Sequence, residues 1–147
     1  MQSDLARGGI ALSIRNVPAN LMLARQADGG ILSGGRFQIA LFAFAAISPD
    51  PDDERYVSSA AIPPDGNNMA AYRSAQADRL VQAASATYDR RRRAELYAAV
   101  QRRLIADLPL YTLAWLPSVV VARRDVAGVR AVPIGSPLWE ISGWRLR

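Results

Sequence analysis

The stretch NMAAYRSAQADRLVQAASATYDRRRRAELYAAVQRRLIADLP, residues 68–109, decides how this chain folds. Ser74 and Asp89 are both residue types whose side-chain oxygen caps a helix N-terminus. Apolar positions follow each at helical spacing: Ala77, Leu80, Val81 and Ala84 after the first, and Leu96, Tyr97, Val100, Leu104 and Leu108 after the second. Two helices are predicted, starting near Ser74 and Asp89. The second ends at Leu108-Pro109, because the residue before proline is pushed out of the helical region. Arg93 and Tyr97 lie four apart and share a face. The run Arg90–Arg93 stands at a helix N-terminus, where cations oppose the macrodipole, but Asp89 and Glu95 are near enough to offset it. Together with Arg102-Arg103 it reads as a solvated face rather than a nucleic-acid patch.

Upstream of this pair, Ser3 to Arg7 predicts a short helix end, stopped by Gly8-Gly9. Ile10 to Arg15 alternates apolar with small or polar residues and predicts a strand. Pro18 opens a predicted helix of about ten residues through Ala27. The run Phe37 to Phe44 is nearly all apolar and is bounded by turn signals, which suits a buried central strand. Pro49-Asp50-Pro51-Asp52-Asp53 is a rigid acidic turn, and residues 58–73 are irregular. Downstream, Leu110 to Leu116 and Ser118 to Ala122 predict strands separated by Pro117. The tail from Gly128 to Arg147 predicts short strand or coil. Strands alternating with helices argue an α/β fold, with fewer strands than such a sheet needs.

A length of 147 residues suffices for one domain with a sizeable core. With 50% hydrophobic and 21% charged residues, the composition is globular rather than disordered. The chain has no cysteine and no histidine. That excludes disulfides, thiolate nucleophiles, sulfur or imidazole metal sites and every Ser-His-Asp arrangement. An enzyme would have to rest on carboxylates such as Asp50 with Asp52 or Asp53. These cluster in one turn without groups to split their pKa values, so the expectation is no enzyme and no cofactor. The net charge of +5 arises from 18 basic residues, the basic residues being arginines, against 13 acidic ones. The longest apolar stretch, Ile39 to Ile47, is too short to span a bilayer. Met1-Gln2-Ser3-Asp4 shows no export signal.

Asn68, Tyr72, Ser74, Asp78 and Leu80 stand at the intervals N-x-x-x-Y-x-S-x-x-x-D-x-L. They are followed by Asp89-x-x-x-Arg93-x-x-x-Tyr97, by Gln101 and by Asp107-Leu108-Pro109. Before them come Leu5 to Ile10, Gly35 to Phe42 and Asp50-Pro51-Asp52; after them comes Gly128-Val129. Taken in order, this series resembles the C-terminal lobe of the bacterial extracellular solute-binding proteins of family 5, the peptide-, dipeptide-, oligopeptide- and nickel-binding type that serves ABC importers. Each motif is weak alone, and the series covers nearly the whole chain. The resemblance implies a partial C-terminal lobe of an α/β, periplasmic-binding-protein-like type II fold over residues 1–128. Residues 129–147 would be a tail that returns to the N-terminal lobe. It also implies that the chain is a fragment or a truncated gene product lacking that first lobe.

The same resemblance implies binding of peptides or similar small solutes in an interlobe cleft, without catalysis. The partners would be a membrane permease and the missing N-terminal lobe, and the parent protein would be periplasmic or anchored outside the membrane. It places Phe44 where relatives usually carry Trp, and Ile47 where dipeptide and oligopeptide binders carry an Asp that pairs with the ligand's α-ammonium group. Ile47 cannot form that ion pair. Candidate ligand-binding residues are Phe44, Ile47, Ser48, Asn68 and Trp115. Asn68 suits either a ligand contact or a brace for its loop. Trp115 suits either the core or the cleft, and Asp50 either an inward ligand group or an exposed turn. Tyr72, Asp78, Arg93 and Tyr97 are expected to be architecture, with Tyr72 and Asp78 anchoring the loop onto the next helix. A degenerate lobe acting as an interaction module without a transport role is the alternative function.

Overall fold

In the computed structural model, residues 2–43, 54–117, 119–132 and 135–147 are described. The two predicted helices are the centre of the molecule. Helix α4 runs Ala75–Ser85 and α5 runs Arg90–Asp107. Each begins as the sequence dictates. The Ser74 side chain accepts a hydrogen bond from the Ala77 amide at 3.3 Å, and Asp89 accepts one from the Arg92 amide at 2.6 Å. The C-terminus of α5 also falls where expected, but Leu108 takes a left-handed conformation (φ 50°, ψ 45°). The residue ahead of Pro109 thus leaves the right-handed helix by the αL route, and its side chain is exposed rather than part of the apolar stripe.

The two helices pack through their apolar stripes. Val81 and Val100 form one cluster with Val57, and Ala84 forms a second with Leu96 and Tyr97; Leu80 touches both. Val57 comes from the short helix α3, Glu54–Val57, so residues 54–108 hold one continuous core. Among the described residues, all the buried hydrophobic ones except Leu32 lie in that span.

The N-terminal part follows the sequence in outline. Helix α1, Gln2–Arg7, stops at the two glycines, with Gly9 at φ +80°. The helix predicted from Pro18 to Ala27 divides instead into α2, Ala19–Met22, and a single 3₁₀ turn at Gln26–Asp28. The cause lies downstream. The carbonyls of Leu21 and Met22 accept from the amides of Ile31 and Leu32, at 3.1 and 3.2 Å, so they are unavailable to continue the helix. The Ala24 carbonyl is taken by the Ser33 hydroxyl at 2.8 Å. Gly30 lies against that same carbonyl: a Cβ there would come within 1.9 Å of it, so only glycine fits. Leu32 is buried beneath this return loop.

The predicted strands differ most. Among the described residues the only strands are β1, Val126–Ala127, and β2, Arg145–Leu146, a two-residue antiparallel pair with Val126 opposite Leu146. The segments 10–15, 37–43, 110–117 and 119–122 form no ladder with one another. A strand is stable only through hydrogen bonds to a neighbour, and among the described residues none of these segments joins a ladder. Among the described residues the architecture is a small mixed domain rich in helix, and the sheet that alternation predicts is represented there by the β1–β2 pair. The tail folds back through the β1–β2 pair and a 3₁₀ stretch at Pro137–Gly143.

Candidate functional site

Phe44, Ile47 and Ser48, and the acidic turn with Asp50, lie outside the described residues. The remaining candidates are Asn68 and Trp115, and they occupy opposite environments.

Asn68 sits in the irregular loop between α3 and α4 and is completely buried, at 0% exposure. Its amide nitrogen donates to the carbonyls of Ser58 (2.9 Å) and Tyr72 (2.8 Å), and its Oδ1 accepts from the Tyr72 amide at 3.0 Å. Both amide hydrogens and one acceptor position are therefore engaged within the loop. The primary amide of asparagine or glutamine carries two donors and an acceptor on one planar group, and the shorter side chain matches the four-residue reach to Tyr72. Asn68 acts as the brace of the loop. Of the two roles its chemistry suggests, these hydrogen bonds form the bracing one.

The loop is then fastened to the helices. Asp78, in the first turn of α4, accepts from the Ser59 amide at 2.8 Å. The Tyr72 hydroxyl donates to Asp107 Oδ2 at 2.5 Å, joining the loop to the end of α5. Arg103, one turn earlier on α5, grips the same carboxylate with Nε at 2.7 Å and Nη2 at 2.5 Å, and reaches Gln76 of α4 through Nη1 at 3.3 Å. The hydrogen bond from Tyr72 is the main cause, and Arg103 a second one, that holds the Asp107 carboxyl below its ordinary value against the opposing effect of desolvation. The expectation that Tyr72 and Asp78 anchor the loop onto the next helix holds for Asp78, which ties it to α4, whereas Tyr72 ties it to the end of α5. The part played by Asp107 and Arg103 was not legible: Asp107 carries a motif position, but its partner is 35 residues away along the chain.

The Arg93 guanidinium lies over the Tyr97 ring, 5.5 Å from its centroid, and Tyr97 is buried against Ala84 and Leu96. Arg90, Arg91 and Arg92 are exposed, and Glu95 pairs with Arg92 at 3.1 Å and Arg91 at 3.8 Å, as a solvated face requires. Trp115 is 91% exposed, outside any helix or strand and outside the core. No helix among the described residues is long and apolar enough to cross a membrane, and no described group of acidic residues is arranged to hold a metal ion.

No protein-family model and no solved structure matches the chain. Curated proteins do. The chain is 27% identical over 143 residues to di/tripeptide-binding protein 1 of Pseudomonas aeruginosa, which covers 97% of this chain and 26% of that relative. It is 25% identical over 134 residues to the peptide transport periplasmic protein SapA of Haemophilus influenzae, covering 90% of this chain and 23% of that protein. The chain spans about a quarter of the length of the curated relatives it matches. The two matches cover most of the chain, so the resemblance read from ordered motifs agrees with similarity to one protein named for di/tripeptide binding and one named for peptide transport.

Proposed function

We propose that this chain, a relative of the peptide-type extracellular solute-binding proteins, forms part of the substrate-binding component of an ABC importer. The observation that carries the reading is the extent of the similarity: two proteins named for peptide binding and peptide transport match 97% and 90% of the chain. Residues 1–128 would form part of the C-terminal lobe of a type II binding-protein fold, with residues 129–147 as the tail that returns to a facing lobe. A peptide or similar small solute would bind in the cleft between the two, outside the cytoplasm. Closure of the cleft would signal occupancy to a membrane permease.

The chemistry of the chain supports a binding role, since selectivity in such a site needs shape and a few polar groups rather than a nucleophile or a metal. Phe44, Ile47, Ser48 and Trp115 are the proposed ligand wall, with Asn68 holding the shape of its loop. Ile47 makes the wall apolar at the position where relatives bind an α-ammonium group. The proposed cargo is therefore a solute whose recognition does not depend on a free N-terminus at that point.

Thermal unfolding of the chain with pools of short peptides, free and N-terminally acetylated, tests this. A ligand present at a hundredfold excess over its Kd stabilises by about 2.7 kcal/mol, which raises the melting temperature measurably. Acetylated peptides are expected to shift melting as well as free ones do. A folded chain whose melting moves with no pool overturns the reading.

A further inference from the structure

Helix α5 carries two stripes at helical spacing. Leu96, Tyr97, Val100 and Leu104 form the first, which packs against Val57, Val81 and Ala84. Ala94, Ala98, Gln101, Ile105 and Leu108 stand four, three, four and three residues apart and form a second on another face, Leu108 just past the last turn. That is the spacing along which one helix meets another in a seam. Ile105 is 71% and Leu108 60% exposed, Ala94 and Gln101 are exposed, and Ala98 is half-buried. Among the described residues, nothing covers the stripe. A surface helix ordinarily needs one apolar face, and α5 has already spent it on the core.

We propose that this face of α5 is a self-association surface, on which a second copy of the chain docks through its own α5, antiparallel, about a twofold axis near residues 99 and 100. Volume and charge choose that occupant. The stripe is small in its N-terminal half, at Ala94 and Ala98, and large in its C-terminal half, at Ile105 and Leu108. An antiparallel copy sets Ala94 against Ile105 of the second copy and Ala98 against its Gln101, so small meets large at each level. A parallel copy would set Ile105 on Ile105 and alanine on alanine, which leaves a gap at one end. Glu95 and Arg102, seven apart, flank the stripe on one side. Antiparallel pairing brings Glu95 of each copy beside Arg102 of the other, twice by symmetry. Its pairs within the chain, to Arg92 at 3.1 Å and Arg91 at 3.8 Å, are exposed and hold it weakly. The same orientation keeps the two Arg90–Arg93 runs apart, each beside the negative C-terminal end of the other helix, whereas a parallel copy would crowd them together. At ~1.5 Å per residue the seam is about 21 Å long. So short a contact belongs with interfaces of less than about 1,200 Å², so the dimer is weak and forms with rising concentration.

The test follows the complete, ligand-free chain by analytical ultracentrifugation over a thousandfold range of concentration. Monomer is expected at the low end and dimer at the high end. Ile105→Asp should raise the dissociation constant at least tenfold while the circular dichroism stays that of the parent chain, since the side chain lies outside the core. Glu95→Arg and Arg102→Glu should each weaken self-association, because each sets like charges against one another at both ends of the seam. An equimolar mixture of those two variants should dimerise as the parent does, since every charge then meets its opposite. A chain that stays monomeric throughout overturns the proposal. So does a dimer that Ile105→Asp leaves intact, which would lie on another face. Charge variants that do not weaken the dimer, or whose mixture does not recover it, overturn the antiparallel pairing. Association that grows past the dimer overturns the twofold arrangement, which closes on itself at two copies.

Discussion

Replacing Asn68 by alanine removes a buried amide that makes three hydrogen bonds and leaves the Ser58 and Tyr72 carbonyls without their donor. A buried polar group stripped of its partner costs about 1–3 kcal/mol, so Asn68→Ala is expected to lower stability by ~3 kcal/mol in urea unfolding. A change below ~0.5 kcal/mol, the usual size for a surface substitution, would show that the loop is held by something else. Tyr72 poses a different question, because its hydroxyl sets the ionisation of Asp107. A carboxyl held below its ordinary value stabilises the fold above that value, and the contribution is lost as pH falls through the lowered folded one. In Tyr72→Phe the Asp107 carboxyl should titrate at higher pH, closer to an unpaired aspartate. Stability at neutral pH should fall, and the further loss on acidification should shrink. Carboxyl NMR titration of Asp107 reads the first, and urea midpoints at pH 7 and in acid read the second. An unchanged Asp107 titration would mean that Arg103 alone holds the carboxylate.

At the scale of the element, the two long helices follow local rules, and these rules were open to inspection in the sequence. Ser74 and Asp89 satisfy amides within three residues of themselves, and the apolar stripe repeats within a turn. Asp89→Ala is expected to cost ~1 kcal/mol, as loss of an N-cap does. Arg91→Ala on the same helix should change stability by less than ~0.5 kcal/mol, since its pair with Glu95 is long and exposed. Equal effects from the two, in denaturant unfolding, would contradict the cap's role. The shorter elements were less legible for a physical reason. Helix α2 stops at Met22 because carbonyls at 21 and 22 are claimed by amides ten residues later, and nothing within the helix announces that competition. The extended segments fail in the same way. Ile10–Arg15 and Leu110–Leu116 carry the alternation or apolar run of strands, yet strand formation depends on a neighbour that periodicity does not specify.

For the whole molecule, the helical module from α3 to α5 is the part that stands alone. Its core joins Val57, Val81 and Val100 to Ala84, Leu96 and Tyr97, and the loop between α3 and α4 is tied to both helices through Asp78 and through Tyr72 with Asp107. Residues 54–108 produced by themselves should keep their helical circular dichroism and unfold near the urea midpoint of the complete chain, because Leu32 is the one buried apolar side chain outside them among the described residues. A midpoint far below that of the full chain would place stabilising contacts elsewhere.

The candidate site divides along the same line. The chemistry of Asn68 was evident from its residue type, but two roles were open to it. The choice depended on Ser58, ten residues away, and on the turn that brings Tyr72 back to it. Trp115 reads as core or cleft by composition and is found almost fully exposed. The amino-acid sequence by itself determined the helix starts, the solvated arginine face and the kinship with peptide-binding proteins, since each is written in residues that are close together or in a fixed order. Tertiary structure alone decided that Val126–Ala127 pairs with Arg145–Leu146, how α2 ends, and that Tyr72, Arg103 and Asp107 meet, since each depends on groups brought together from distant parts of the chain.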